Sequence, residues 1–129
     1  MATATLLSQE IEEGQRLIDA LKAANFSVNS ALWMWAPEPE TWRLTIASPL
    51  YDRKGPLKTY GEILSVFRQV QPELKIDWTA LVAVSPKHEL IKGLHQIQQK
   101  WNLDLSERRM TNTYVDRTWI EDAYIYQIK

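Results

Sequence analysis

No cysteine occurs anywhere in this chain. Disulfides, thiolate zinc sites, iron–sulfur clusters and cysteine nucleophiles are excluded, and such a composition fits a reducing compartment, so a cytoplasmic location is expected. Charge of one sign is not in excess either: 15 basic against 16 acidic residues leave a net charge of −1. There is then no global attraction to nucleic acid or to an anionic membrane, and neither is an expected partner. No apolar run approaches the ~20 residues of a membrane-spanning helix. The N-terminus carries Glu10, Glu12 and Glu13 and lacks a basic segment followed by an apolar run, so no signal peptide is expected. Histidine is sparse. His88 and His95 share a helix face, but zinc usually takes at least three protein ligands and only Glu89 and Glu121 are on hand as distant completions. No metal site and no cofactor are expected.

What is present is an ordinary soluble composition, 45% hydrophobic and 24% charged, in 129 residues, which predicts one domain over 1–129. Aromatic usage is unusual: six tryptophans against five tyrosines and two phenylalanines.

Apolar periodicity predicts a helix over 4–24, with Leu7, Ile11, Ile18 and Leu21 in one stripe widened by Leu17 and Ala24. Gly14 lies on that stripe and marks a close approach to another element, and Asn25 is the expected stop. Alternation predicts a strand over 26–36. Phe26, Val28, Leu32 and Met34 would lie on one face, and Asn29, Ala31, Trp33 and Trp35 on the other. Pro37-Glu38-Pro39-Glu40 forces a turn into a second strand over 41–48, with Trp42, Leu44 and Ile46 on one face and Arg43 and Thr45 on the other. Residues 49–56 read as a loop, 57–71 as a helix ended by Pro72, and 79–84 as a continuous apolar strand, hence a central one covered on both faces. Ser85 is an expected N-cap, with Pro86 in the first turn of a helix running to about residue 100 that buries Leu90, Ile91, Leu94, Ile97 and Trp101. Residues 108–114 and 119–128 alternate as a final hairpin. In its last strand Tyr124, Tyr126 and Ile128 would share one face, and Trp119, Ala123 and Ile125 the other. The class is α+β, a mixed sheet of about five strands with three helices in the order α-β-β-α-β-α-β-β.

Two of these strands stop at Ser-Pro, Thr45-Ile46-Ala47-Ser48-Pro49 and Leu81-Val82-Ala83-Val84-Ser85-Pro86, with a helix between them. That is the pattern of a parallel crossover, and it places both Ser-Pro ends on one sheet edge, where open parallel sheets put ligands. The candidate ligand-binding residues are therefore Ser48, Tyr51, Asp52, Arg53 and Lys54 from the first loop and Ser85, Lys87 and His88 from the second. A helix N-terminus with basic side chains suits an anion, and His88 could move a proton. The plainer alternative makes the serines turn caps and the charges a solvated rim. Glu38 followed by Asp52-Arg53-Lys54 loosely matches the acidic…Asp-x-Lys pattern of restriction-endonuclease-like nucleases, whose carboxylates hold Mg²⁺. In that family the Asp-x-Lys lies on a strand, whereas here it is wedged between prolines. Arg53, Lys54 and Lys58 with Tyr51 form a local basic patch, against which the net charge argues. Asp116, Arg117, Glu121 and Asp122 cluster in the last hairpin, but Glu121 and Asp122 point to opposite faces of one strand and cannot act together. Trp33 and Trp35, grouped by alternation with Asn29 and by the expected pairing with Arg43 and Thr45, are candidate interface residues, because tryptophan concentrates in binding hot spots.

The run from Trp42 to Pro56, Tyr60, Val84-Ser85-Pro86 and the ending Ile120-Glu121-Asp122-Ala123-Tyr124-Ile125-Tyr126 resemble a group of small bacterial proteins with no assigned activity, over nearly the whole chain. The resemblance implies a bacterial, intracellular, stand-alone domain and carries no catalytic residues across. The leading expectation is a small binding or assembly module that self-associates or serves a protein partner. The alternative is an enzyme acting on a phosphate-containing substrate, such as a metal-dependent nuclease, at the Ser-Pro edge.

Overall fold

In the computed structural model, residues 6, 8–72 and 74–129 are described. The elements follow as α1 (Ser8–Ala23), β1 (Ser30–Ala36), β2 (Thr41–Ala47), α2 (Leu50–Val70), β3 (Leu81–Val84), α3 (Glu89–Trp101), β4 (Arg108–Val115) and β5 (Thr118–Ile128), with a short 3-10 turn at Trp78–Ala80 before β3. The five strands form one sheet in the order β3-β2-β1-β5-β4, in which β2 and β3 are parallel and every other pair antiparallel. The predicted α+β architecture and element order are those observed. Among the described residues, no helix is long and apolar enough to cross a membrane.

The sheet separates two cores. On one face Leu17, Ile18 and Leu21 of α1 and Ile63, Val66 and Phe67 of α2 pack on Ala31, Trp33, Trp35, Trp42, Leu44 and Ile46. On the other, Leu90, Ile91 and Leu94 of α3 pack on Leu32, Ile120, Ala123, Ile125 and Ile128. The predicted stripe of α1 holds for Ile11, Leu17, Ile18 and Leu21, Leu7 lying outside the described residues, but Ala24 is exposed because the helix ends at Ala23, and Asn25 follows with a left-handed backbone at φ 62°.

Gly14 is the close approach the sequence marked. A Cβ there would fall 2.9 Å from the Trp33 indole nitrogen and closer still to the Tyr126 hydroxyl. Trp33 Nε1 donates to that hydroxyl at 2.9 Å, and the hydroxyl donates to the Ile11 carbonyl at 2.6 Å. Only a residue without a side chain lets α1 descend onto this pair.

Several expectations are corrected. The hairpin register pairs Trp33 with Leu44 and Trp35 with Trp42, so Arg43 and Thr45 stand opposite Met34 and Leu32 on the other face. The tryptophans thus share their face with β2's apolar residues, beneath helices. Phe26 and Val28 pack with Trp33 rather than with Leu32, because regular pairing begins only at Ser30. Residues 50–54 form a helical turn of α2, and the break falls at Gly55 (φ 85°), a conformation that suits glycine, ahead of Pro56. Strand β3 is an edge strand of four residues with Val82 and Val84 half-buried, so its apolar run does not mark a central position. The N-cap of α3 is His88, whose Nδ1 accepts from Leu90 N at 3.2 Å, three residues later than expected. Trp101 is 67% exposed, left uncovered by the last turn of α3. A register shift between β1 and β5 turns Ile128 to the α3 side, away from Tyr124 and Tyr126. Trp119 stands exposed against Tyr114, apart from Ala123 and Ile125, where β4 carries Asn112 at φ 46°.

Gly14→Ala is expected to lower unfolding stability by about 1–3 kcal/mol, as overpacking does. In chemical denaturation the loss should shrink when combined with Tyr126→Phe, which removes the closest atom. Burial holds the Tyr126 phenol above the ordinary tyrosine range, with the Trp33 donor opposing it. The folded state thus favours the neutral phenol. This contribution is complete below about pH 10 and is lost as pH rises beyond it. Unfolding free energy measured above about pH 10 should fall more steeply for the wild type than for Tyr126→Phe.

Candidate functional site

Among the described residues, polar groups that could serve a ligand gather at both ends of the sheet. The first region is the Ser-Pro edge. Parallel pairing sets Ala47 beside Val84, and Ser48 N donates to Val84 O at 3.1 Å, so both Ser-Pro ends do meet. Ser85 Oγ donates to the Asp52 carboxylate, at 2.7 Å to Oδ1 and 2.9 Å to Oδ2, and accepts from Lys87 N at 2.9 Å. Buried Ser48 accepts from Leu50 N at 3.2 Å through its own hydroxyl. Each serine therefore starts the chain turn that follows it, and Asp52 ties the start of α2 to the start of the next connection. Arg53, Lys54, Lys87 and His88 are exposed on this edge and Tyr51 is half-buried against the α1–α2 core.

This constellation is poorly suited to nucleophilic catalysis. The serine hydroxyl faces a carboxylate, and carboxylates are weak bases near neutrality. The histidine nearest in sequence spends Nδ1 on a helix N–H. The nuclease pattern fares worse. Glu38 lies in the β1–β2 turn and Asp52 follows the far end of β2, so a seven-residue strand, roughly 20 Å long, separates the two carboxylates. They cannot share a metal ion. Among the described residues no group of three His, Asp or Glu side chains is placed to hold one. In the last hairpin Asp122 pairs with Arg109, at 2.9 Å through both Nε and Nη2, and that bond holds the guanidinium above its ordinary value.

The second region lies at the opposite end, where β1 finishes and β2 starts. A cleft of about 420 Å³ opens there between α1, this hairpin end and the segment leading into β3. Trp33, Trp35 and Trp42 line it with Ile76 and Ala80, together with four acidic residues, Glu10, Glu13, Glu40 and Asp77, and one basic residue, Lys75. The Trp35 and Trp42 rings are 5.7 Å apart at 68°, a steep edge-to-face pair. Trp33 and Trp35, expected at an interface, are only 2% and 6% exposed. They belong to the core because α1 covers the face they share, and what they offer outward is the lining of this cleft.

Glu13 is the buried acid of the region, 5% exposed. Its Oε1 accepts from Lys75 N and, at 3.1 Å, from Ile76 N; its Oε2 accepts from Gln9 Nε2 at 3.0 Å. Three donors satisfy the carboxylate and pin the segment before β3 to α1. The Thr79 backbone N–H, then its hydroxyl, hold the Asp77 carboxyl below its ordinary range. Glu13, Glu40, Trp42 and Asp77 were not singled out by sequence reasoning. For Glu13 the signal was present: it stands four residues before Leu17, on the apolar stripe, where an acid must find buried donors. For the others the signal is tertiary, since only the β1–β2 register and the return of the chain before β3 bring them together.

Comparison with family models, with curated proteins and with solved structures finds no match for this chain.

Asp52→Ala or Ser85→Ala is expected to cost about 1 kcal/mol of stability, the worth of a hydrogen bond near the surface, and to leave the circular dichroism spectrum unchanged. A loss of several kcal/mol in urea melts would show that this edge organises the fold.

Proposed function

We propose that the chain is a small binding module for a protein partner, with the tryptophan-lined cleft between α1 and the β1–β2 hairpin as its docking site. The observation that carries this reading is a concave site with three tryptophans in its lining and carboxylates at its rim. Ligand sites are commonly concave, aromatic and furnished with a few polar groups. The polar groups of the Ser-Pro edge are instead occupied in joining elements to one another. The cysteine-free composition supports a cytoplasmic setting, and the resemblance described above a bacterial one.

Self-association is the second reading, supported by a different surface. Tyr114 and Trp119 form an edge-to-face pair at 4.9 Å on the last hairpin and are 66% and 46% exposed, unusual for residues of this size. An enzyme acting on a phosphate-containing substrate at the Ser-Pro edge is the weaker alternative, supported by the exposed basic groups there.

Thr41 is exposed at the lip of the cleft, so Thr41→Tyr narrows the entrance while keeping a residue that suits a strand. In quantitative capture from native cells, one protein should be recovered stoichiometrically with the wild type and lost with Thr41→Tyr, then bind the purified wild type in calorimetry. The same proteins on both baits, or none on either, would contradict the reading. Sedimentation of wild type beside Tyr114→Ser/Trp119→Ser decides self-association: a dimer lost in the variant supports it, and a wild-type monomer at all concentrations rejects it.

A further inference from the structure

We infer that the cleft takes a positively charged side chain of the partner protein, an arginine guanidinium held against the tryptophans and neutralised by the rim carboxylates. The inference rests on the binding reading above and adds the chemistry of what is bound.

Three observations support it. The first is the aromatic lining. Among aromatic side chains tryptophan has the strongest attraction for a cation over its ring face. Trp35 and Trp42, inclined edge to face at 68°, both contribute to its lining. The second is charge. Four of the lining residues are acidic and one is basic, while the whole chain is nearly neutral at −1. The negative charge is thus local to this cleft. Part of it is spent internally: Glu13 serves backbone N–H groups, and Asp77 accepts from Thr79 through Oδ1. Glu40, on the exposed turn before β2, is the carboxylate placed to meet an incoming charge, and Asp77, also exposed, is a second acid of the lining. An anion would be repelled by this excess of acidic residues.

The third observation is that the molecule already builds this arrangement once within itself. The Arg109 guanidinium carbon lies 5.8 Å from the centre of the Trp42 ring, and the same guanidinium is gripped in a fork by Asp122 at 2.9 Å on two nitrogens. Trp42 is itself in the cleft lining, so Arg109 already serves one of its rings, and the incoming guanidinium would repeat this chemistry from the cleft side. Arginine is favoured over lysine because its planar, weakly hydrated head stacks on an aromatic face and can bind a carboxylate through two nitrogens at once. A volume of about 420 Å³ leaves room for the side chain and adjoining backbone.

The test is a calorimetric titration of the full chain with acetyl-Gly-Arg-Gly-amide and with its citrulline counterpart, which keeps the shape and removes the charge. The arginine peptide should saturate and bind at least about tenfold more tightly than the citrulline peptide. Its affinity should fall at least about fivefold in Glu40→Gln/Asp77→Asn, whose circular dichroism spectrum should match the wild type, and should weaken when salt is raised from about 50 mM to about 500 mM. Equal affinity for the two peptides, no saturation at about 10 mM arginine peptide, or indifference to the acid substitutions would each overturn the inference. Its failure separates from failure of the binding reading. A partner lost with Thr41→Tyr but retained by Glu40→Gln/Asp77→Asn leaves the cleft as docking site and removes the cation. A partner retained by Thr41→Tyr removes the cleft itself.

Discussion

The hydroxyl of Tyr126 is the point on which the arrangement of layers depends. It accepts from Trp33 of the central strand and donates to a carbonyl of α1, so one oxygen links β5, β1 and the first helix. Its burial is tolerable because both of its hydrogen-bonding directions are used. Gly14 is the complementary constraint, since any side chain there would collide with the same oxygen. Fixing α1 at this height has two consequences. Leu17, Ile18 and Leu21 reach the sheet and complete one core. The first turns of α1 are carried past the end of β1, where Gln9, Glu10 and Glu13 become one wall of the tryptophan cleft. The contact that docks the helix therefore also shapes the candidate site.

Glu13 does the corresponding work on the other side of the cleft. A buried carboxylate is costly unless it is met by donors, and here the backbone of Lys75 and Ile76 and the Gln9 amide meet it. The segment before β3 is held to α1 in this way, which brings Asp77 to the rim. At the Ser-Pro end the polar groups do similar joining work, since Asp52 and Ser85 bind each other and His88 caps a helix. The two ends of the sheet differ in that tryptophans and acidic residues line a concave space at the cleft end.

Much of the fold was legible in the sequence because it is written in local patterns. The α1 stripe, the Pro-Glu-Pro-Glu turn, the parallel crossover between Ser48 and Ser85 and the close approach at Gly14 all depend on short-range spacing or on a residue's conformational range. The misreadings share a physical cause. Alternation assigns residues of one strand to two faces but leaves open which face of a neighbour they meet, and that depends on register. The four-residue turn at 37–40 sets Trp35 opposite Trp42, and so moved the tryptophans from an imagined mixed surface into the core. The apolar run of β3 reads alike for a central strand and for a short edge strand flanked by helices. Residues 50–54 carry turn-like residues yet wind into a helix that breaks one residue later, at Gly55. The candidate cleft was the least legible part, because its groups come from α1, the β1–β2 hairpin and the chain before β3, and no spacing within one element reports them.

The central claim is that the tryptophans lining the cleft, rather than the exposed ones, meet the ligand. The most direct measurement is the set of indole N–H resonances of the full chain, assigned by single Trp→Phe variants and followed by two-dimensional NMR during titration with an arginine-containing peptide. The account predicts that the Trp35 and Trp42 signals shift together along one saturable curve while those of Trp101 and Trp119 stay in place. Shifts confined to Trp101 or Trp119, or no indole shift at saturating peptide, would contradict it.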